Sequence, residues 1–133
     1  MFVCLISLVV APSAVFSQED PIRKMSCRIT KACAPNGDCL ATETSVLFRF
    51  KTSSSAAADE GPYEIEYGNV SADLWTNPMS GTYMWTEGQE DIQSIQWMGA
   101  ASEDEEIGFA IWTQARLTTA GSVKFLTCKG EPQ

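Results

Sequence analysis

The chain has 133 residues, with 17 acidic against 9 basic side chains, a formal charge of −8 at neutral pH, and no histidine. That balance excludes nucleic acid or an anionic membrane as partners held by a general positive field, and it steers cationic partners towards the chain instead. The missing histidine removes His-based zinc sites, Ser-His and Cys-His nucleophile pairs and the commonest general base, so neither catalysis nor a metal or cofactor site is expected.

Residues 1–17 form an uncharged, mostly apolar run ending in Val15-Phe16-Ser17 and read as a secretory signal cleaved after Ser17. Interrupted by Pro12 and Ser13, the run falls short of the roughly 20 apolar residues of a transmembrane helix. An uncleaved anchor is the alternative, and with cleavage Cys4 is lost. Residues 18–25 read as a flexible leader. The remainder, 26–133, reads as one domain, since a single core is the expectation for a chain of about 115 residues without a long linker.

That domain opens with Cys27, Cys33 and Cys39 and is answered near its end by Cys128. Four cysteines in a short exported chain imply two disulfides and an oxidising compartment, secreted or periplasmic. The first segment alternates with period two, and Pro35-Asn36-Gly37-Asp38 reverses it, because Asn-Gly tolerates positive φ. Residues 44–51 form the second strand, with Val46, Phe48 and Phe50 on one face. Residues 63–67 set Tyr, Ile and Tyr against two Glu, and Gly68-Asn69 folds them onto 70–76. Further strands follow at 82–86, 92–98, 107–117 and 123–129, separated by turns.

Eight short strands without a helical period predict an all-β antiparallel meander. An eight-stranded up-and-down barrel is preferred over a two-layer β-sandwich, because closure removes exposed edges. A first and a last strand lying side by side also allow a Cys27–Cys128 bridge, with Cys33–Cys39 across the turn. Pairing Cys27 with Cys39 and Cys33 with Cys128 stays open, since spacing does not choose among the connectivities.

For function, the tryptophans lead, because aromatic faces beside carboxylates and amides hold sugars in small β-domains. Alternation sets Trp85 with Tyr83, Trp97 with Ile95, and Trp112 with Gly108 and Ala110, as core or barrel-lining residues. Trp75, beside Ser71 and Asp73, is the one expected outside. The candidate binding set is Trp75, Ser80, Tyr83, Trp85 and Glu87. Glu64 and Glu66 lie about 7 Å apart on one strand face, a two-carboxylate spacing, but that face is opposite the aromatic one and reads as solvated. The acidic run 103–106 lacks the glycine and ligand spacing of a calcium loop and reads as a solvated loop.

The Cys-x5-Cys-x5-Cys ladder and the closing Phe125-Leu126-Thr127-Cys128 resemble small exported bacterial four-cysteine β-proteins, a group that carries over no activity. Ser80-Gly81-x-Tyr83 and Trp85-Thr86-x-Gly88 further resemble pieces of the Ser-Gly-x-x-Tyr and Trp-x-x-Gly signature of the C-type lysozyme inhibitor barrels. Glu87 stands where that family tends to place lysine. The resemblance implies a small periplasmic barrel with a terminal disulfide, presenting residues 80–88 to a cationic wall-degrading enzyme. The expectation is therefore a secreted or periplasmic, monomeric, non-catalytic binding protein whose partner is a cationic protein or a glycan. The alternatives are a lysozyme-inhibitor-like protein and a small carbohydrate- or apolar-ligand-binding barrel. A packed interior would confine any site to the outer surface and the loops.

Overall fold

The computed structural model describes residues 22–52, 61–77, 79–102, 107–116 and 121–131; the expected signal, the start of the leader and the acidic run 103–106 lie outside them. Among the described residues nine strands run in order: β1 (Ile22–Cys33), β2 (Cys39–Lys51), β3 (Glu64–Tyr67), β4 (Val70–Asp73), β5 (Trp75–Asn77), β6 (Thr82–Glu87), β7 (Asp91–Ser102), β8 (Ile107–Arg116) and β9 (Ser122–Gly130). All neighbours are antiparallel, in the order β4-β3-β2-β1-β9-β8-β7-β6-β5.

The strand expected over 70–76 is broken at Leu74, which makes the count nine rather than eight. The break has a topological cause. β4 pairs with β3 while β5 pairs with β6, so one bent segment joins the two ends of the sheet and nearly closes it into a barrel. Leu74 is buried at the bend and its N–H donates to the Tyr63 carbonyl at 2.9 Å.

Residues 22–25, expected to belong to the leader, are strand instead, since β1 begins at Ile22. Arg23 lies opposite Phe50 and Met25 opposite Phe48, and Met25 also meets Gly130, so this stretch has a sheet to join. Thr30 marks a register shift in β1 towards both neighbours, and its hydroxyl donates to the Phe125 carbonyl at 3.3 Å.

Both disulfides follow the preferred pairing. Cys27 lies directly opposite Cys128 in the β1–β9 ladder and is bonded to it. Cys33 and Cys39 form the last pair of the β1–β2 hairpin and close its five-residue turn. The first bridge is buried and welds the first strand to the last; the second sits at the surface.

Inside, the barrel is packed. Phe48, Phe50, Ile65, Trp85, Ile95, Trp112 and Leu126 are buried with the Cys27–Cys128 bridge, and Tyr67, Tyr83 and Trp97 pack against them. The rings meet mostly edge to face: Phe48 on Trp112 at 5.4 Å, Phe50 on Tyr83 at 5.5 Å, and Tyr67 on Trp85 at 5.8 Å. The two deep indoles are satisfied: Trp85 Nε1 donates to the Tyr67 hydroxyl at 3.2 Å and Trp112 Nε1 to Gln93 Oε1 at 2.8 Å.

Candidate functional site

With side chains packed inside the barrel, strand alternation decides what the outer wall displays. Two rows cross β5 to β9 on the solvent side. One runs Trp75, Met84, Ser94, Thr113, Val123; the other runs Asn77, Thr82, Gln96, Ile111, Phe125. Neither row contains a charge, in a chain where one residue in five is charged. Trp75 is 60% exposed, Met84 44%, and Ile92, Phe109 and Phe125 stand out beside them. Exposed apolar side chains grouped on an uncharged face mark a candidate interaction surface.

At one end of this wall the β5–β6 turn is held rigidly. Asn77 Oδ1 accepts the N–H groups of Met79 and Ser80 at 3.1 and 3.4 Å, and the Asn77 carbonyl accepts that of Gly81 at 3.0 Å. Ser80 Oγ donates to Thr82 Oγ1 at 2.9 Å, and Gln96 Nε2 donates to the Ser80 carbonyl, tying the turn to β7. Gly81 has φ of 65°, which a side chain would strain. Met79 stands at the tip, 98% exposed.

The structure separates the sequence-derived candidates. Trp75 and Ser80 share the outer wall and its turn. Tyr83 faces inward against Phe50 and Trp97, and its hydroxyl pKa is raised by burial. Trp85 is wholly buried. Glu87 also faces inward, but at the other end of β6, about 17 Å of strand rise beyond Thr82. Of the four tryptophans, Trp75 is outside and the other three belong to the packed interior, as alternation predicts.

Around Glu87 a polar ring lines the barrel mouth, a feature the sequence reading missed. Glu87, Asp91 and Arg116 are consecutive cross-strand neighbours, and Arg116 Nε pairs with Asp91 Oδ2 at 3.3 Å. Lys124 reaches over the Trp112 ring, 4.2 Å from its centre. Burial raises the Glu87 carboxyl pKa, with the nearby Asp91 adding to it, and burial lowers that of Lys124. Glu87 Oε1 and Gln93 Nε2 are closed off from solvent without hydrogen-bond partners among the described residues. The parity Gln93 shares with Ile95 and Trp97 was the available signal for a buried amide.

Glu64 and Glu66 share one cation. Lys51 Nζ lies 2.8 Å from Glu64 and 3.0 Å from Glu66, and its hydrogen bond is the main cause holding the Glu64 pKa down. The same bonds raise that of Lys51. Among the described residues, no three His, Cys, Asp or Glu side chains converge to hold a metal ion.

Comparison of the chain with protein-family models, curated proteins and solved structures returned no match.

Proposed function

We propose that this chain is an exported, non-catalytic binding protein that meets its partner on the outer wall of β5 to β9 rather than inside the barrel. The observation that carries the reading is the pair of uncharged cross-strand rows bearing exposed Trp75, Met84 and Phe125, outside an interior already filled by side chains. Exposed Trp and Met on a rigid hairpin supply large contact area with little ordering cost. Two intramolecular disulfides suit an oxidising, secreted or periplasmic setting. The buried cluster of aromatic and aliphatic side chains favours an outer-surface site over an enclosed apolar ligand.

One observation favours the inhibitor reading within this class. The rigid turn at 77–81 holds the Ser80-Gly81 pair that resembles the lysozyme-inhibitor signature, and the acidic field would draw in a cationic wall hydrolase. The test is a titration of the disulfide-intact protein with C-type lysozyme and, separately, with chitooligosaccharide, following tryptophan emission against a Trp75→Phe control. Lysozyme should shift emission only when Trp75 is present, with affinity falling as salt rises. Saturable binding of either probe that is unchanged in Trp75→Ala and Met84→Ala variants would remove the wall from the mechanism, and no binding of lysozyme would end the inhibitor reading.

A further inference from the structure

The basic residues, scattered in sequence, are sorted by the fold. On β1 the inward face is Met25, Cys27 and Ile29, so Lys24, Ser26 and Arg28 face out; beyond the shift at Thr30, Lys31 lies opposite the exposed Phe125. Next door on β2, Arg49 lies directly opposite Lys24, Leu47 opposite Ser26 and Ser45 opposite Arg28. On the other flank, Lys129 of β9 lies opposite Ser26 and Thr127 opposite Arg28. Lys24, Arg28, Lys31, Arg49 and Lys129 are all exposed. They form a strip along β1 of roughly 23 Å from Lys24 to Lys31 at strand rise.

Two features make this strip more than a solvated face. Opposed like charges weaken a sheet, yet Lys24 and Arg49 face one another directly. Among the described residues, none of the five basic side chains has a carboxylate within ion-pair distance, although Glu43 and Glu131 border the strip, Glu66 lies opposite Arg49 on β3, and the chain is acidic overall. The surface is also concave at that point. Arg28 and Thr30 line an open hollow of about 350 Å³ with Ala41, Thr42 and Glu43, where the register shift bends the hairpin. A second groove of about 580 Å³ begins at Ser45, Leu47 and Arg49.

We infer that the outer face of β9, β1 and β2 binds a linear anionic polysaccharide laid along β1, with Lys24, Arg28, Lys31, Arg49 and Lys129 receiving its carboxylate or sulfate groups. The hydroxyls between the cations, Ser26, Thr30, Ser45 and Thr127, suit a sugar backbone. Aromatic side chains border the strip on its β9 and β8 side, where Phe125 lies opposite Lys31 and Phe109 opposite Thr127, so a poly-dT probe is needed to tell a sugar chain from stacked bases. A formal charge of −8 repels polyanions in general, so capture of one reports a local site rather than bulk attraction. This surface adjoins the one proposed above where Lys31 lies opposite Phe125, and the inference does not depend on that proposal.

The experiment uses the full disulfide-intact chain and four probes of matched length: alginate for uronate, heparin for sulfate, poly-dT and polyglutamate. Binding is followed by calorimetry at low salt and again at physiological salt. At least one of the two polysaccharides should bind, with affinity falling as salt rises; which of them binds tells carboxylate from sulfate. Arg28→Glu and Arg49→Glu, both at exposed positions, should each weaken it by at least about tenfold, while Lys51→Met should change it little. Near-ultraviolet circular dichroism confirms that the variants are folded. Absence of polysaccharide binding, binding indifferent to the Arg28 and Arg49 reversals, or equal binding of poly-dT or polyglutamate would overturn the inference.

Discussion

The two disulfides close loops of very different length, and this difference sets a quantitative test of what holds the barrel together. Cys27 and Cys128 are separated by 101 positions, Cys33 and Cys39 by 6. If each bridge acts mainly by restricting the unfolded chain, removing the long-range one costs about 4.7 kcal/mol and the short one about 2.2 kcal/mol. The first figure is about half the net stability of a typical small domain, and the loss of two buried sulfurs adds to it. Paired Cys→Ala variants, unfolded in urea and followed by emission of the buried Trp85 and Trp112, should place the Cys27/Cys128 variant lowest. With a typical urea slope of about 2 kcal/mol/M, the midpoints should fall by roughly 2 M and 1 M respectively. A Cys33/Cys39 variant that loses as much as the Cys27/Cys128 variant would refute the loop-length argument and locate the staple's value in native contacts at the turn.

Truncating the tryptophans separates interior from wall: Trp85→Ala should cost about 3–5 kcal/mol in chemical denaturation, and Trp75→Ala should stay within about 0.5 kcal/mol. Because burial raises the Glu87 pKa, its ionised form opposes folding. Glu87→Gln should therefore raise the melting temperature at neutral pH, with the gain shrinking as pH falls and vanishing below the ordinary carboxyl pKa of 4.5. Glu64 has the opposite sign. Its lowered pKa stabilises the fold above 4.5 and that contribution is lost on acidification, so Lys51→Met should destabilise slightly at neutral pH and match the parent in acid, as thermal melts across pH will show.

Period-two alternation made much of this architecture legible. It placed Trp75 outside and Trp85, Trp97 and Trp112 inside, because a strand residue's face follows from its parity once one neighbour's face is known. The cysteine pairing was legible for a related reason: a meander that closes brings its first and last strands together, and Cys27 and Cys128 sit in those strands. The break at Leu74 was not legible. Residues 70–76 have an unbroken strand pattern, and the bend exists only because one side of the segment must meet β3 while the other meets β6. Ile22 to Met25 were missed because Pro21 and the charges at 23 and 24 look like a leader until β2 and β9 are there to pair with them. In the candidate site, Trp75 and Ser80 were found together, while Trp85 and Glu87 were carried along by nearness in sequence. Parity and strand rise take them to the core and to the far end of the barrel.

Net charge misled most, because it averages over faces that the fold separates. Of the nine basic residues, Arg116 and Lys124 line the mouth, Lys51 is held by Glu64 and Glu66, Arg23 lies opposite Phe50, and the other five stand along β1 and its two neighbours without an ion-pair partner among the described residues. The uncharged wall and the basic strip then meet at one place, where Phe125 of β9 lies opposite Lys31 of β1. Trp75 and Arg49 both lie away from that seam and are separated from each other by β3 and β4, so substitutions there should act independently, whereas substitutions at Phe125 and Lys31 share neighbours and should couple by about 0.5 kcal/mol or more. A double-mutant cycle on Phe125 and Lys31, read against one on Trp75 and Arg49, distinguishes two separate docking surfaces from one continuous surface. Coupling confined to the seam fits separate surfaces, and coupling of Trp75 to Arg49 for the same ligand would require a single partner that spans β3 and β4, the short way between them.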